Sequence, residues 1–373
     1  MKNIWPAILL CLILHISVTA GTNEQAYVDV FFSGKDGYNN YRIPAIEVAP
    51  DGSILAFAEA RTSGDPGEGP NSAVDLVYKR STDNGCTWSE MKVIEQPGKG
   101  WSAANPATTV DRQTRRVWLL YLRCKPGRGT SKARPGTDDL QTFARFSDDN
   151  GQKWSDPIDL TEVGRDMKDP QWRATVIGPG GMIQDSKGRL VAAAWRVAPW
   201  GVFSIYSEDH GRTWQRGQMV SCQGLDKKHA PNETQIVELS DGRILMDYRD
   251  ESIAHRWMAE SRDGGRTWSE PRVGLSVTPI ACAIERYTLK SAGADRDCLI
   301  WTGPKGPKRS NLVARLSYDE GRSFSVERLI ASGPAAYSDL AILKDKTVGV
   351  LWERGNYKYI SFTRLTPEFL ESK

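Results

Sequence analysis

Three arginines define the chemistry this sequence can support. Arg42 lies in Tyr41-Arg42-Ile43-Pro44, Arg249 in Asp247-Tyr248-Arg249-Asp250, and Arg309 in Lys308-Arg309-Ser310-Asn311-Leu312. Each falls in a loop or at a strand end. A guanidinium is planar and permanently charged, and it grips a carboxylate through paired hydrogen bonds that an ammonium cannot reproduce. One such arginine is ordinarily a solvated or salt-bridged surface charge. Three brought to one place demand an anionic ligand. Rival chemistries are poorly supplied. Beyond residue 20 the only histidines are His210, His229 and His255, and the cysteines are Cys86, Cys124, Cys222, Cys282 and Cys298. That spacing fits neither a zinc ligand set nor a disulfide scaffold, so no metal and no cofactor are expected. Cys282 and Cys298 stay open between a cross-strand disulfide and buried free thiols.

The elements that would position such a site are written as a repeat. Ser-x-Asp-x-Gly-x-x followed by Trp or Phe occurs at 81–88, 147–154, 207–214, 261–268 and 317–324. The interval of about 55–65 residues accommodates one four-stranded propeller blade with its loops. Each copy reads as a hairpin turn in which Ser and Asp bond nearby amides, Gly supplies a positive φ, and the aromatic packs between sheets. The motif is therefore scaffold and does no chemistry. Between copies lie strand-like runs such as Tyr27 to Phe32, Ala73 to Tyr78, Arg116 to Tyr121 and Gly349 to Trp352, broken by Asp-Gly turns at 51–52 and 241–242. Long amphipathic helices are absent, with at most a turn or two near Leu140. Five repeats plus one further stretch of strands predict an all-β, six-bladed β-propeller of four-stranded antiparallel blades.

Composition agrees. With 39% hydrophobic and 25% charged residues the chain is ordinary for a globular protein, and a net charge of +3 is too small to indicate nucleic acid or membrane binding. The start is different. Met1-Lys2 precedes an apolar run from Ala7 to Ile16, and Val18-Thr19-Ala20 offers small residues before Gly21. That pattern predicts a secretory signal peptide over 1–20, too short for a membrane span. Cys11 has no small-residue lipobox before it, so no lipid anchor is expected. Residues 21–373 then form a single domain, expected to be a monomer in a secreted or periplasmic location.

Across nearly all of residues 21–373 the chain resembles the exo-α-sialidases (neuraminidases), the bacterial secreted members most closely. The five turns look like that family's Asp boxes, and Arg42-Ile43-Pro44 like the motif that opens its domain. The resemblance implies that Arg42, Arg249 and Arg309 form the carboxylate-binding triad. Arg61-Thr62-Ser63-Gly64-Asp65 with Gly69-Pro70-Asn71-Ser72 resembles the loop of the acid/base aspartate, implying that role for Asp65, with Glu68 a competitor. Asn232-Glu233-Thr234-Gln235 implies Glu233 as the catalytic glutamate, and Ala336-Tyr337-Ser338-Asp339-Leu340 implies Tyr337 as nucleophile. Leu351-Trp352-Glu353-Arg354-Gly355 implies that Glu353 steadies the first arginine. Arg134-Pro135-Gly136-Thr137-Asp138 resembles a substrate-recognition loop with Asp138 as contact; Arg61 touches the same region, and Trp172 is placed as a wall of the N-acetyl pocket or as core packing. Asn232-Glu233-Thr234 also fits a glycosylation sequon, which a neighbouring catalytic glutamate argues against.

The chemistry makes sense of this set. A sialoside carries its carboxylate on the anomeric carbon, so a carboxylate nucleophile would approach against Coulomb repulsion and a neutral phenol would not. An unperturbed phenol, with a pKa of about 10, is a poor nucleophile at neutral pH and needs a base, here Glu233. The tyrosine-nucleophile scheme itself follows from the resemblance. The expected activity is retaining hydrolysis of terminal sialic acids from glycans, glycoproteins or glycolipids. Two enzymatic alternatives are a glycosidase for a related 2-keto-3-deoxy acid and a trans-sialidase. A third reading is a propeller that binds sialic acid without cleaving it.

Overall fold

A computed structural model describes residues 24–69, 71–221 and 229–372; the expected signal peptide and Cys222 lie outside them. Among the described residues, strands alternate with short turns, and helix is confined to Thr161–Gly164, Pro367–Glu371 and a single 3-10 turn. Leu140 opens the strand Leu140–Ser147, not a helical turn. Its pairing along its whole length with Arg116–Cys124 outweighs its modest helical character.

Pairing follows chain order. Asn40–Val48, Ile54–Arg61, Val74–Ser81 and Lys92–Glu95 form one antiparallel run. Ser102–Asp111, Arg116–Cys124, Leu140–Ser147 and Ile158–Asp159 form the next. A third is built on Ala174–Ile177, Leu190–Val197, Gly201–Ser207 and Gln215–Arg216. Pro231–Glu238, Ile244–Asp250, His255–Ser261 and Arg272–Ser276 make the fourth. Ala283–Thr288, Cys298–Pro304 and Ser310–Ser317 continue into the long strand Val326–Ile342. The second half of that strand begins a last run with Val348–Arg354 and Tyr359–Leu365. The N-terminal strand Tyr27–Phe32 completes it by pairing with Tyr359–Leu365. First strands of neighbouring runs meet around a common axis, where Gly180–Gly181 pairs with Ala107 and Thr108. The architecture is a β-propeller closed by its own N-terminus.

The five turn repeats connect third to fourth strands. In the first, Gly85 N and Thr87 N donate to Ser81 Oγ and Asp83 Oδ1, both at 2.9 Å. The fourth and fifth positions are left-handed in every copy, for example Asn84 at φ 58° and Gly85 at φ 84°, as a primed hairpin turn requires. A Cβ on Gly85 would sit 2.0 Å from Phe362, and one on Gly211 2.1 Å from Trp118, each in the preceding run. The aromatic that ends the motif wedges into the same seam, Trp88 on Phe362 at 5.4 Å and Trp214 on Trp118 at 5.6 Å. Closure explains why the last run lacks a repeat: its fourth strand comes from the N-terminus, so no third-to-fourth turn exists. Cys282 and Cys298 are buried free thiols.

Candidate active site

Antiparallel order sends first strands away from one axial face and returns second strands to it, so first-strand starts and second-strand ends share that face, opposite the turn repeats. First strands are irregular there. Their register breaks between Arg42 and Ala45, Ala104 and Ala107, Pro231 and Thr234, and Ala335 and Ser338. Bulges re-aim side chains next to active sites. At the first of these, Ile43 has φ 56°, an outlier for a β-branched residue whose strain the surroundings must hold. The hold is Glu353. This fully buried carboxylate accepts Arg42 Nε at 2.6 Å and Ile43 N at 2.9 Å on one oxygen. Its other oxygen accepts Tyr337 N at 3.2 Å.

Tyr337 is the hub. Its side chain is buried, and its hydroxyl donates a hydrogen bond to Glu233. Arg249 Nη1 donates to the other Glu233 oxygen and lies 3.4 Å from Tyr337 Oη. The guanidinium carbons of Arg42 and Arg309 stand 5.4 Å and 5.5 Å from the Tyr337 ring centre. All three arginines named from sequence therefore surround one phenol. Burial, and then the Glu233 charge, push the Tyr337 phenol well above the usual tyrosine range, so it is held protonated at rest. Burial alone would lower Arg42 and Arg249, but Glu353 beside one and Glu233 beside the other more than offset it. Both remain cationic.

Asp65 sits apart, on the connection after Ile54–Arg61. Its carboxylate is 74% exposed and pairs with Arg61. Arg61 is buried and doubly bonded to Glu59 Oε2, Nε at 2.9 Å and Nη2 at 2.6 Å. Glu68 faces the same loop and accepts Asp65 N at 2.9 Å. Asp138 is exposed on Lys125, whose hydrogen bond lowers its pKa. Its neighbour Asp139 is the buried one, held well below the usual carboxylate range chiefly by Arg134, whose Nε and Nη2 donate at 2.8 and 2.9 Å. Trp172 lies in the core, its Nε1 bonded to Ala174 O at 3.1 Å and Thr175 Oγ1 at 3.0 Å. That is the packing alternative. Asn232 is buried, which leaves no room for a glycan.

Two residues went unremarked in the sequence. Tyr357 accepts Arg309 Nη1 at 2.8 Å while its ring lies 4.2 Å from the Arg42 guanidinium, tying two arginines together. Its φ of 67°, after 54° at Asn356, turns it inward. Glu59 reads as an ordinary alternating strand residue in Ala58-Glu59-Ala60-Arg61, yet is fully buried and also accepts Asn105 N at 2.8 Å. Among the described residues, no group of three or more His, Cys, Asp or Glu could hold a metal, and no helix is long and apolar enough to cross a membrane.

A family model described as a BNR repeat-like domain matches residues 44–350. A sialidase of Micromonospora viridifaciens is 34% identical over 358 residues, covering 90% of this chain and 53% of that protein. One of Bacteroides fragilis is 29% identical, covering 89% and 63%. One of Paraclostridium sordellii is 32% identical, covering 92% and 89%. The chain thus spans about half to under two thirds of the first two relatives. Among solved structures, a Hadza microbial sialidase superposes with TM-score 0.81 at 25% identity, covering 92% of this chain and 69% of that one. An intramolecular trans-sialidase from Ruminococcus gnavus reaches 0.79 at 18% identity, covering 92% and 98%.

Proposed function

Because this chain belongs to the bacterial sialidase family, we propose that it is a retaining exo-α-sialidase that removes terminal sialic acids from glycans, glycoproteins or glycolipids. The observation that carries the reading is the buried Tyr337–Glu233 hydrogen bond enclosed by Arg42, Arg249 and Arg309. The three guanidiniums and the two carboxylates set among them, Glu353 and Glu233, together keep a net positive charge for an anionic ligand, and a neutral, base-paired phenol is the nucleophile suited to an anionic sugar. We take each four-stranded run as one blade, giving six, and residues 1–20 as a signal peptide that sends the enzyme to a secreted or periplasmic location.

In this reading Tyr337 Oη attacks the anomeric carbon while its proton passes to Glu233. The glycosidic carbon–oxygen bond breaks with its electron pair on the leaving oxygen, which takes a proton from Asp65. Asp65, whose carboxylate pairs with Arg61 before substrate enters, must leave that contact and take up a proton from solvent before it meets that oxygen. The Asp65 carboxylate then removes a proton from water. The resulting hydroxide attacks the anomeric carbon, and the departing phenolate recovers its proton from Glu233. Two inversions give net retention. The triad clamps the sugar carboxylate throughout, with Glu353 and Tyr357 fixing Arg42 and Arg309.

A 3-fluoro sialosyl fluoride, which traps the covalent intermediate, tests the mechanism. Peptide mapping should find the label on Tyr337, and a label on Asp65, Glu68 or Glu233 refutes the roles given. Comparing a fluorogenic N-acetylneuraminide with its deaminated analogue separates a sialidase from a glycosidase for a related acid. Intact binding without turnover on either identifies a non-cleaving binder.

A further inference from the structure

The loop that bears Asp65 does not stand alone. It lies against the connection between Arg116–Cys124 and Leu140–Ser147, and the contact is backbone on backbone. Gly129 N donates to Gly67 O at 3.1 Å. A Cβ on Gly67 would fall 2.2 Å from Gly129 N, and one on Gly129 would fall 2.4 Å from Pro66 O. Two further bonds flank this touch: Lys132 Nζ to Glu68 O at 3.0 Å, and Gly67 N to the buried Ser102 Oγ at 3.1 Å. Pro66 and Gly67 directly follow Asp65. Asp65 is otherwise held from its own side, by Arg61 on its carboxylate and by Glu68 on its backbone N, so these contacts are what tie the loop to the neighbouring connection.

We propose that Gly129 is a positioning residue for the general acid: its lack of a side chain sets how closely the Asp65 loop approaches the neighbouring loop, and so where the proton is delivered. The inference rests on the reading of Asp65 as acid. The two glycines differ in a useful way. Gly67 has φ +65°, so a substitution there adds backbone strain to the steric clash. Gly129 has no such φ, and its substitution isolates the contact. A methyl 2.4 Å from a carbonyl oxygen is about 1 Å short of ordinary contact. Because the obstacle is main chain, no rotamer change relieves it, and the loops must separate by about that distance. Misplacement of a catalytic group by about 1 Å costs on the order of 100-fold.

The test is Gly129→Ala assayed on two substrates. Sialyllactose has a poor leaving group and needs the acid; a 4-methylumbelliferyl sialoside needs it far less. We expect kcat/KM to fall about 100-fold on sialyllactose and less than about 10-fold on the aryl sialoside. Affinity for a 2,3-unsaturated sialic acid analogue, held by the arginines, should be unchanged. Equal losses on both substrates, or no loss on either, overturn the proposal. Should Gly129→Ala not fold, Lys132→Met removes one flanking bond and must show the same leaving-group bias, or the proposal fails. Asp65→Ala is the reference. Without leaving-group dependence in Asp65→Ala the acid assignment itself falls, whereas dependence there but not in Gly129→Ala sinks only this inference.

Discussion

Replacing Glu353 by Gln keeps the shape of the side chain and removes its charge, at a position where the structure allows the cost to be worked out. The carboxylate is fully buried and receives three donors: Arg42 Nε, Ile43 N and Tyr337 N. A glutamine amide has one acceptor oxygen, so the best orientation keeps Arg42 and Ile43 and turns an NH2 toward Tyr337 N. That leaves a buried donor unmade, at about 1–3 kcal/mol. Arg42, with only 13% of its side chain exposed, also loses its counter-charge, and breaking such a pair from one side costs about 3–5 kcal/mol. The residual Arg42–amide bond returns part of this, and we expect a net loss of about 4 kcal/mol, within the range of those two costs. With an unfolding entropy of about 2.1 cal/mol/K per residue, that loss lowers Tm by about 5 °C in a chain of this length. The kinetic effect should be separable: KM rises about tenfold, the equivalent of about 1.4 kcal/mol, as Arg42 is freed from its fixed pose. Calorimetry at matched scan rate and steady-state kinetics on a fluorogenic sialoside provide both numbers. A variant that melts within about 1 °C of the parent, with unchanged KM, would refute the assignment of Glu353 as the brace between Arg42 and Tyr337.

Arg309→Lys should raise KM at least tenfold, since an ammonium neither forks onto a carboxylate nor reproduces the bond to Tyr357 in the same geometry; a KM within twofold of the parent contradicts a shared clamp. Asp263→Ala should cost about 1–3 kcal/mol by unmaking the turn bonds to Thr267 and Ser261, while kcat per folded molecule, from active-site titration, stays level. Burial, opposed by the Val48 amide and assisted by Glu285 and Asp339, raises Glu47 to about 8. It faces a 740 Å³ cavity at the axial mouth opposite the candidate site. A carboxyl raised in the fold stabilises below its unfolded pKa and loses that contribution as pH rises through the folded value. Glu47→Gln should therefore raise Tm at pH 9 by a few degrees and leave it unchanged at pH 4, and an equal shift at both would show the burial reading to be wrong.

The scaffold was legible because its repeat is forced by local chemistry. A left-handed pair with an acceptor at either side admits few residues, and Ser, Asp and Gly recur at fixed offsets for that reason. The arginines were legible because each sits in a distinctive segment. Tyr357 was not, since its role depends on two consecutive left-handed residues that have no periodic signature. Glu59 was hidden by strand alternation: its neighbours are alanines, and only burial against Arg61 and Asn105 reveals that it holds the arginine beside Asp65. With Asp138 and Asp139 adjacent, pattern alone could not say which carboxylate turns inward. The loop decides, and it buries Asp139. Asp65 was named through the resemblance of its loop, while its pairing with Arg61 and its exposure appear only in the fold.

Closure by the first strand has a consequence for how the molecule comes to exist. Asp29 and Ser361, hydrogen-bonded across that closing pair, are 332 positions apart in the chain. A ribosome adding about 5–20 residues per second makes Tyr27–Phe32 roughly 15–70 s before its partner strand exists. Throughout that interval Val30 and Phe31, both buried in the finished ring, have no sheet to join, and an unpaired apolar strand is an invitation to wrong partners. Tyr359–Leu365 pairs with Val348–Arg354 on one side and with the closing strand on the other, so loss of a few of its residues would open the ring. Closure of the ring therefore waits for the synthesis of Tyr359–Leu365, and until then the opening strand lacks its partner.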